Sequence, residues 1–168
     1  MPHDIVINVL FLCTGNSARS VMAEVLLAAK GRGRFTAFSA GSRPVGRVNP
    51  HTLATLRRHG LATEGLLSKS WDDFVRPGAP ALDIIVTVCD SAANESCPIW
   101  PGRPATAHWS FPDPTAVRGD DAVIERSFEQ VFAAIDRHIA ALTRLPIEQM
   151  SPNEIATRLA AIPREVAA

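Results

Sequence analysis

The chain has 168 residues and a mass of 18.1 kDa, enough for one domain with a hydrophobic core. Hydrophobic residues make up 46% and charged residues 20%, which is typical of a globular protein and excludes a disordered one. Lysine plus arginine and aspartate plus glutamate both number 17, so no net positive charge attracts nucleic acid or an anionic membrane. An anionic substrate would therefore have to be bound by a local site.

The three cysteines, Cys13, Cys89 and Cys97, cannot all pair within one chain and are too few for a disulfide scaffold. The N-terminus lacks the basic start of a signal peptide. The longest apolar stretch, residues 5–12, is far shorter than the ~20 residues that cross a bilayer. We therefore expect a cytoplasmic protein with reduced cysteines, and neither nucleic acid nor a membrane as a partner.

Predicted strands and helices alternate along the chain. Short apolar runs predict strands over residues 5–12, 35–40, 82–88 and 105–109. Helical spacing and capping signals predict helices over residues 20–30, 50–59 and 128–142, and a last short one from Ser151. This alternation predicts a three-layer α/β domain with a mainly parallel sheet of about four strands and helices on both faces. We expect residues 1–145 to form the catalytic domain and residues 146–168 a helical extension, not a separate domain.

The loop after the first strand has the form Cys-x5-Arg, from Cys13 to Arg19. Backbone N–H groups at the start of the next helix favour an anion, and Gly15 permits a tight turn around it. The Arg19 guanidinium can bind two oxygens of a tetrahedral oxyanion. The same positive field is expected to lower the pKa of the Cys13 thiol. The predicted oxyanion-binding residues are Cys13, Thr14, Gly15, Asn16, Ser17, Ala18, Arg19 and Ser20.

A cysteine at a strand end is also a common core residue, but the placement of Cys13 between a strand and a helix favours a nucleophile. Cys89 ends a second predicted strand, so we expect it at the same edge of the sheet as Cys13. Seven small or polar residues separate it from Cys97 and can fold to bring the two sulfurs together. A thiol relay is one interpretation. Two unrelated cysteines, or a zinc site with unusual spacing, are the others.

Several motifs resemble, in order and spacing, the low-molecular-weight protein tyrosine phosphatase superfamily, and within it the arsenate reductases of the thioredoxin-coupled type. The motifs are VLFLCTGNSARS at residues 9–20 with MAE at 22–24, FSAGS at 38–42, VTVCD at 86–90, CPIWPG at 97–102 and HWSFPDP at 108–114. The resemblance covers about residues 5–145. It implies Cys13 as the nucleophile, with Cys89 and then Cys97 as resolving cysteines, and arsenate reduction to arsenite in arsenic detoxification.

The resemblance also implies that Asp113 is the general acid. From the residues alone, the two flanking prolines could hold its carboxyl group over the site, or Asp113 could be an ordinary turn residue. The implied partners are arsenate, with phosphate or sulfate as competing anions, and an external dithiol reductant. Thioredoxin is the expected reductant, and a glutaredoxin or another dithiol is the alternative. No bound cofactor is expected.

Some relatives bind potassium beside the loop, which makes Asn16, Glu24, Ser39 and Asp73 candidate ligands. Residues 68–73 lack the threonine expected next to the last of these. A phosphatase that forms a phosphocysteine is the alternative function, because Cys13, Arg19 and Asp113 would suffice for it. Against a tyrosine phosphatase, Thr115-Ala116-Val117 stands where such relatives carry aromatic residues. A non-catalytic thiol sensor is a third interpretation.

Overall fold

In the computed structural model, which describes residues 5–95 and 98–167, strands and helices alternate along the chain. The strands are β1 (Ile7–Cys13), β2 (Phe35–Gly41), β3 (Ile84–Thr87) and β4 (Ala105–His108). The α-helices are α1 (Arg19–Lys30), α2 (Pro50–Arg58), α3 (Asp90–Asn94), α4 (Asp121–Thr143) and α5 (Pro152–Glu165). Short 3-10 helices occupy Trp71–Phe74, Pro114–Ala116 and Ile147–Gln149. The predicted α/β fold class is confirmed.

The described strands form one parallel sheet in the order β2-β1-β3-β4. Because β1 leads to β2 on one side and β3 leads to β4 on the other, the winding direction reverses between β1 and β3. Such a reversal leaves a crevice outside the carboxyl ends of two adjacent strands, where ligands of α/β proteins bind. The loops that follow β1 and β3 therefore meet where a binding site is expected.

The two faces of the sheet are covered differently. On one face, α1, α2, α4 and α5 surround a large core that includes Phe11 and Trp109. On the other face, Leu10 and Leu12 belong to a smaller apolar cluster that the 3-10 helix Trp71–Phe74 covers. Alternate residues of β1 thus face two different cores, as expected of a central strand.

Side-chain caps fix where the longest helices begin. The Asp120 carboxylate accepts the N–H of Val123 at 3.0 Å, so α4 begins well before Phe128, where its apolar spacing becomes visible in the sequence. At the start of α5, the predicted cap forms: the Glu154 N–H donates to Ser151 Oγ at 3.2 Å. The Glu154 carboxylate accepts from the Ser151 hydroxyl at 3.1 Å and not from its backbone N–H, so the reciprocal half of the predicted capping box differs. Within residues 5–95 and 98–167, no helix has both the length and the apolar character needed to cross a membrane.

Arg34, just before β2, anchors the connection between α4 and α5. It donates to the carbonyl oxygens of Thr143 at 2.6 Å and Leu145 at 2.9 Å. Its guanidinium also forms a two-pronged ion pair with Glu148, with distances of 2.8 and 2.9 Å. These hydrogen bonds hold the pKa of the Glu148 carboxyl at about 2.

Helix α5 joins the large core through Ile155, Leu159 and Ile162. The indole Nε1 of Trp109, which follows β4, donates to the carbonyl oxygen of Leu159 at 2.9 Å. That carbonyl lacks its usual partner in the helix, because the residue four positions on is Pro163, which has no N–H. Trp109 therefore completes the hydrogen bonding of α5.

Candidate active site

Cys13 and Cys89 lie at the crevice between β1 and β3. Cys13 is the last residue of β1, and the register pairs Leu12 with Thr87, the last residue of β3. The N–H of Val88 donates to the Leu12 carbonyl at 2.8 Å, so Cys89 follows directly along the same sheet edge. Both thiols are free and buried, with 4% and 2% of their surface exposed. The structure thus places two of the predicted catalytic cysteines at one edge. Cys97 lies outside the described residues.

The loop between β1 and α1 closes around the Cys13 sulfur. The N–H of Asn16 donates to Cys13 Sγ at 3.2 Å, and Ser20 Oγ lies 2.8 Å from the same atom. Asn16 has a φ of +46°, a left-handed conformation that asparagine adopts more readily than most residues. A cavity of about 330 Å³ is lined by residues 13–19 together with Val45, Ser91, Asp113 and Thr115. All predicted oxyanion-binding residues except the buried Ser20 line this cavity.

The fully buried side chain of Asn16 sets the direction of the hydrogen bonds beneath the loop. Its Oδ1 accepts the N–H of Lys69 at 2.9 Å, which orients the amide group. Its Nδ2 donates to Ser20 Oγ at 2.8 Å and to Ser39 Oγ at 3.0 Å. Because the Ser20 oxygen already accepts from Asn16, its own hydrogen is available to the Cys13 sulfur.

The pKa of the Cys13 thiol is raised by burial. Hydrogen bonds from Ser20 and Asn16 lower it by less, and the neighbouring Cys89 raises it further. The expectation that the helix start and Arg19 would produce a net lowering is wrong for this structure. The physical reason is that the sulfur is almost completely withdrawn from water, which destabilises the thiolate more than these hydrogen bonds offset. The pattern Cys-x5-Arg does not show how deeply the sulfur is buried.

Arg19, the first residue of α1, connects the nucleophile loop to the proline-rich loop. Its Nη1 donates to the Phe111 carbonyl at 3.0 Å, and its Nη2 lies 3.6 Å from Asp113 Oδ2. Asp113 Oδ1 accepts from the backbone N–H of Thr115 at 2.9 Å and from its hydroxyl at 2.6 Å. The structure therefore brings Cys13, Arg19 and Asp113 to one cavity and fixes the carboxylate of Asp113 from two sides.

Cys89 caps α3 and also contacts the nucleophile loop. Its sulfur accepts the N–H of Ala92 at 3.4 Å, as an N-cap does. On its other side, Thr14 Oγ1 lies 3.7 Å from the sulfur and donates to Glu95 Oε1 at 3.0 Å. Glu95 was not singled out from the sequence, where it appears only as one polar residue of a flexible segment.

His108, the last residue of β4, holds the start of α3. Its Nε2 lies 2.8 Å from Asp90 Oδ1, and its Nδ1 lies 2.7 Å from Thr87 Oγ1. The hydrogen bonds from His108 and then Ser110 lower the pKa of the Asp90 carboxyl. His108 and Asp90 were visible in the sequence only as members of motifs, without an individual function.

Gly41 and Lys69 position the loop, and neither was singled out from the sequence. Gly41, the last residue of β2, donates its N–H to the Lys69 carbonyl at 2.9 Å. A Cβ atom at Gly41 would collide with the carbonyl oxygen of Thr14 and crowd Asn16. The available signal was a glycine directly after a predicted strand, which marks a close backbone approach.

The candidate potassium ligands Asn16, Glu24 and Ser39 lie together. Ser39 Oγ donates to Glu24 Oε1 at 2.5 Å, and burial raises the pKa of the Glu24 carboxyl. The Lys69 ammonium lies 3.9 Å from the same carboxylate oxygen. Asp73 lies apart, exposed on a 3-10 helix. The Lys69 ammonium supplies a positive charge beside Glu24, and the backbone N–H of Lys69 takes one of the two lone pairs of Asn16 Oδ1. Potassium binding by these residues stays a prediction.

The chain is similar to known proteins over most of its length. The family model of the low molecular weight phosphotyrosine protein phosphatases matches residues 8–154. Arsenate reductase 1 of Staphylococcus epidermidis is 34% identical over 127 residues, which cover 75% of this chain and 90% of that protein.

Solved structures of arsenate reductases are also similar to this chain. The crystal structure of arsenate reductase from Archaeoglobus fulgidus has a TM-score of 0.58 at 29% identity, over 79% of this chain and 98% of that chain. A thioredoxin-dependent arsenate reductase of Corynebacterium glutamicum has a TM-score of 0.54 at 26% identity, over 77% of this chain and 58% of that chain.

The fold and the nucleophile loop define the class: the chain belongs to the low molecular weight phosphotyrosine protein phosphatase family. The resemblance to the arsenate reductases of this family is confirmed.

Proposed function

We propose that this protein is an arsenate reductase that converts arsenate to arsenite through a cysteine relay. The observation that supports this most directly is the position of Cys89, buried at the same sheet edge as Cys13 and linked to its loop through Thr14. Phosphate ester hydrolysis requires the nucleophile, Arg19 and Asp113, but it gives no function to a second thiol. Arsenate reduction requires two electrons, and two thiols supply them.

In the first step, arsenate occupies the cavity above Cys13, where loop N–H groups and Arg19 bind its oxygens. The Cys13 thiolate attacks arsenic, a sulfur–arsenic bond forms and an arsenic–oxygen bond breaks. Asp113 donates a proton to the leaving oxygen, which departs as water or hydroxide. Phosphate and sulfate, which have the same tetrahedral shape, compete for this cavity.

In the second step, the Cys89 sulfur attacks the Cys13 sulfur. The sulfur–arsenic bond breaks and its electron pair stays on arsenic, which leaves as arsenite. A Cys13–Cys89 disulfide remains, so the two thiols are oxidised as arsenic is reduced.

In the third step, Cys97 attacks Cys89, which restores Cys13 and moves the disulfide to Cys89 and Cys97. An external dithiol then reduces that disulfide. Thioredoxin is the proposed reductant, since a relative in this family is thioredoxin-dependent. A compartment that keeps thiols reduced, such as the cytoplasm, suits this cycle.

Arsenate-dependent NADPH oxidation with thioredoxin and thioredoxin reductase tests the proposal, with p-nitrophenyl phosphate hydrolysis measured in parallel. Cys89→Ser should abolish NADPH oxidation and keep the slow hydrolysis that Cys13 alone supports, whereas Cys13→Ser should lose both. Cys97→Ser should release one arsenite per protein and then stop. If the unsubstituted protein hydrolyses the ester fast and shows no arsenate-dependent NADPH oxidation, it is the phosphatase instead. Normal arsenate turnover by Cys89→Ser would show that Cys89 is not part of the relay. Replacement of thioredoxin by glutaredoxin identifies the reductant.

A further inference from the structure

Cys89 must lose a proton when it attacks Cys13, and the residue is buried, with 2% of its surface exposed to water. Among the described residues, its hydrogen-bond partners are the N–H of Ala92 and the hydroxyl of Thr14. The N–H group can only donate, so it cannot take the proton. The Thr14 oxygen, 3.7 Å from the sulfur, is the acceptor in reach.

The contact between Thr14 and Glu95 fixes the direction of this hydrogen bond. Thr14 Oγ1 lies 3.0 Å from Glu95 Oε1, and an ionised carboxylate can only accept. The single hydroxyl hydrogen of Thr14 therefore points to Glu95. Its lone pairs are left for the S–H group of Cys89, which gives a continuous path from thiol to hydroxyl to carboxylate.

We propose that Glu95 takes up the proton that Cys89 loses, with the Thr14 hydroxyl as the bridge. This inference rests on the proposed function, because it concerns the second step of the relay. As the Cys89–Cys13 sulfur–sulfur bond forms, the thiol proton moves to Thr14 Oγ1 and the hydroxyl proton of Thr14 moves to Glu95 Oε1. The electron pair of the breaking sulfur–arsenic bond stays on arsenic, and the proton on Glu95 is released to water.

Glu95 is placed for such a release. It is half-buried and lines a polar cavity of about 650 Å³ that also includes Thr14 and Arg43. The carboxylates on either side are otherwise engaged: Asp90 contacts His108 at 2.8 Å, and Asp113 Oδ1 accepts twice from Thr115. Among the described carboxylates, these contacts leave Glu95 as the one joined to Cys89 through a hydroxyl group.

The test is the rate of arsenite release in a single turnover, measured by rapid quench across pH 6–9 at saturating arsenate. All variants carry Cys97→Ser, which confines the reaction to the first two steps. Glu95→Gln keeps the size of the side chain and an oxygen that accepts from Thr14, but it cannot take up a proton. We expect its rate near pH 7 to fall about 100-fold, the usual contribution of a positioned base. The ratio between the unsubstituted rate and the Glu95→Gln rate should then shrink as the pH rises, because solvent ionises the Cys89 thiol, whereas ionisation of Cys13 affects both proteins alike.

Three measurements show whether Glu95 acts in the proton transfer or only supports the local structure. Glu95→Gln should have no further effect in a Thr14→Val background, because the path is already broken. Acetate should restore part of the rate of Glu95→Ala. Glu64→Gln, which removes an exposed carboxylate elsewhere, should match the unsubstituted protein.

Hydrolysis of p-nitrophenyl phosphate does not use Cys89, so Glu95→Gln should lower it far less than it lowers arsenite release. An equal rate of arsenite release from Glu95→Gln and the unsubstituted protein at every pH would overturn the assignment of Glu95. A loss of arsenite-release rate in Glu95→Gln that has the same size at every pH would also overturn this assignment. If the unsubstituted protein releases no arsenite, the proposed function itself fails, which is a distinct outcome.

Discussion

At the scale of single residues, the reactivity of Cys13 depends on a small set of directed hydrogen bonds. Lys69 orients the amide of Asn16, Asn16 donates to Ser20, and the Ser20 hydroxyl lies 2.8 Å from the sulfur. Each donor is fixed by the one before it, so little reorganisation is needed when the sulfur becomes charged. These bonds counter the burial that raises the pKa of the thiol.

Ser20→Ala should therefore raise the pKa of Cys13 further. A hydrogen bond to a charged group contributes about 1.5–3 kcal/mol, so its loss destabilises the Cys13 thiolate. The thiolate fraction near neutral pH falls, so the acid limb of the pH profile of kcat/KM should move to higher pH. The measurement is the pH dependence of Cys13 alkylation by iodoacetamide and of p-nitrophenyl phosphate hydrolysis. Ser127→Ala on α4 is the control, and a profile of Ser20→Ala identical to the control's would contradict this assignment.

At the scale of secondary structure elements, the end of β2 packs against the loop that follows Cys13 and helps to fix its backbone. Gly41 pairs with the 69–70 segment, which brings the N–H of Lys69 to Asn16. The loop backbone at Thr14 passes over Gly41 so closely that no side chain fits between them. The geometry of the oxyanion site thus depends on an adjacent strand as well as on its own sequence.

Gly41→Ala should displace the loop and reduce arsenate reduction by about 100-fold, the typical effect of a misplacement of about 1 Å at a reacting group. The fold should survive, because the substitution lies at the end of the sheet. Kinetics together with far-UV circular dichroism check this, with Thr36→Ala, an exposed position on β2, as the matched control. Unchanged kcat/KM in Gly41→Ala would show that the loop tolerates the shift.

Local patterns predict the elements of this fold well. The end of β1 at Cys13, the Cys-x5-Arg loop and the Ser151 cap could be read from the sequence, because strand runs and caps depend on neighbouring residues. The third strand was predicted too long: β3 ends at Thr87, and Cys89, expected to end that strand, is the N-cap of α3. Helix α3 was not predicted, since its five residues are too few for a period to appear. The hydrogen bond from Thr14 to Glu95 joins positions 81 residues apart, and the burial of Cys13 depends on the whole core. Neither can be read from one stretch of sequence.

At the scale of the whole molecule, Trp109 joins the catalytic sheet to the C-terminal helix. Its ring is fully buried, and its Nε1 satisfies the Leu159 carbonyl that Pro163 leaves without a partner. The loss of one helical hydrogen bond is thus compensated by a tertiary one.

Trp109→Phe should lower the free energy of unfolding by about 1–3 kcal/mol from the unpaired buried carbonyl, in addition to the lost ring volume. In a Pro163→Ala background, residue 163 regains an N–H that can bond to Leu159, so the same substitution should be less destabilising. Urea unfolding of the four proteins gives the coupling energy between the two positions. A coupling energy of zero would mean that the indole does not replace the helical hydrogen bond.

Polar contacts hold the two ends of α3: Asp90 contacts His108 and Ser110, and Glu95 contacts Thr14, while Ala92 packs beneath the helix. Polar contacts at an exposed helix end are weak compared with the free energy of global unfolding of a domain, about 5–15 kcal/mol. The helix that begins at Cys89 can therefore open locally while the β1–β2–β3 sheet and α1 stay intact. Stability is therefore divided unevenly in this protein: Cys13, the proposed nucleophile, ends a central strand, and Cys89, the proposed resolving cysteine, begins a short segment that can separate from the rest of the fold.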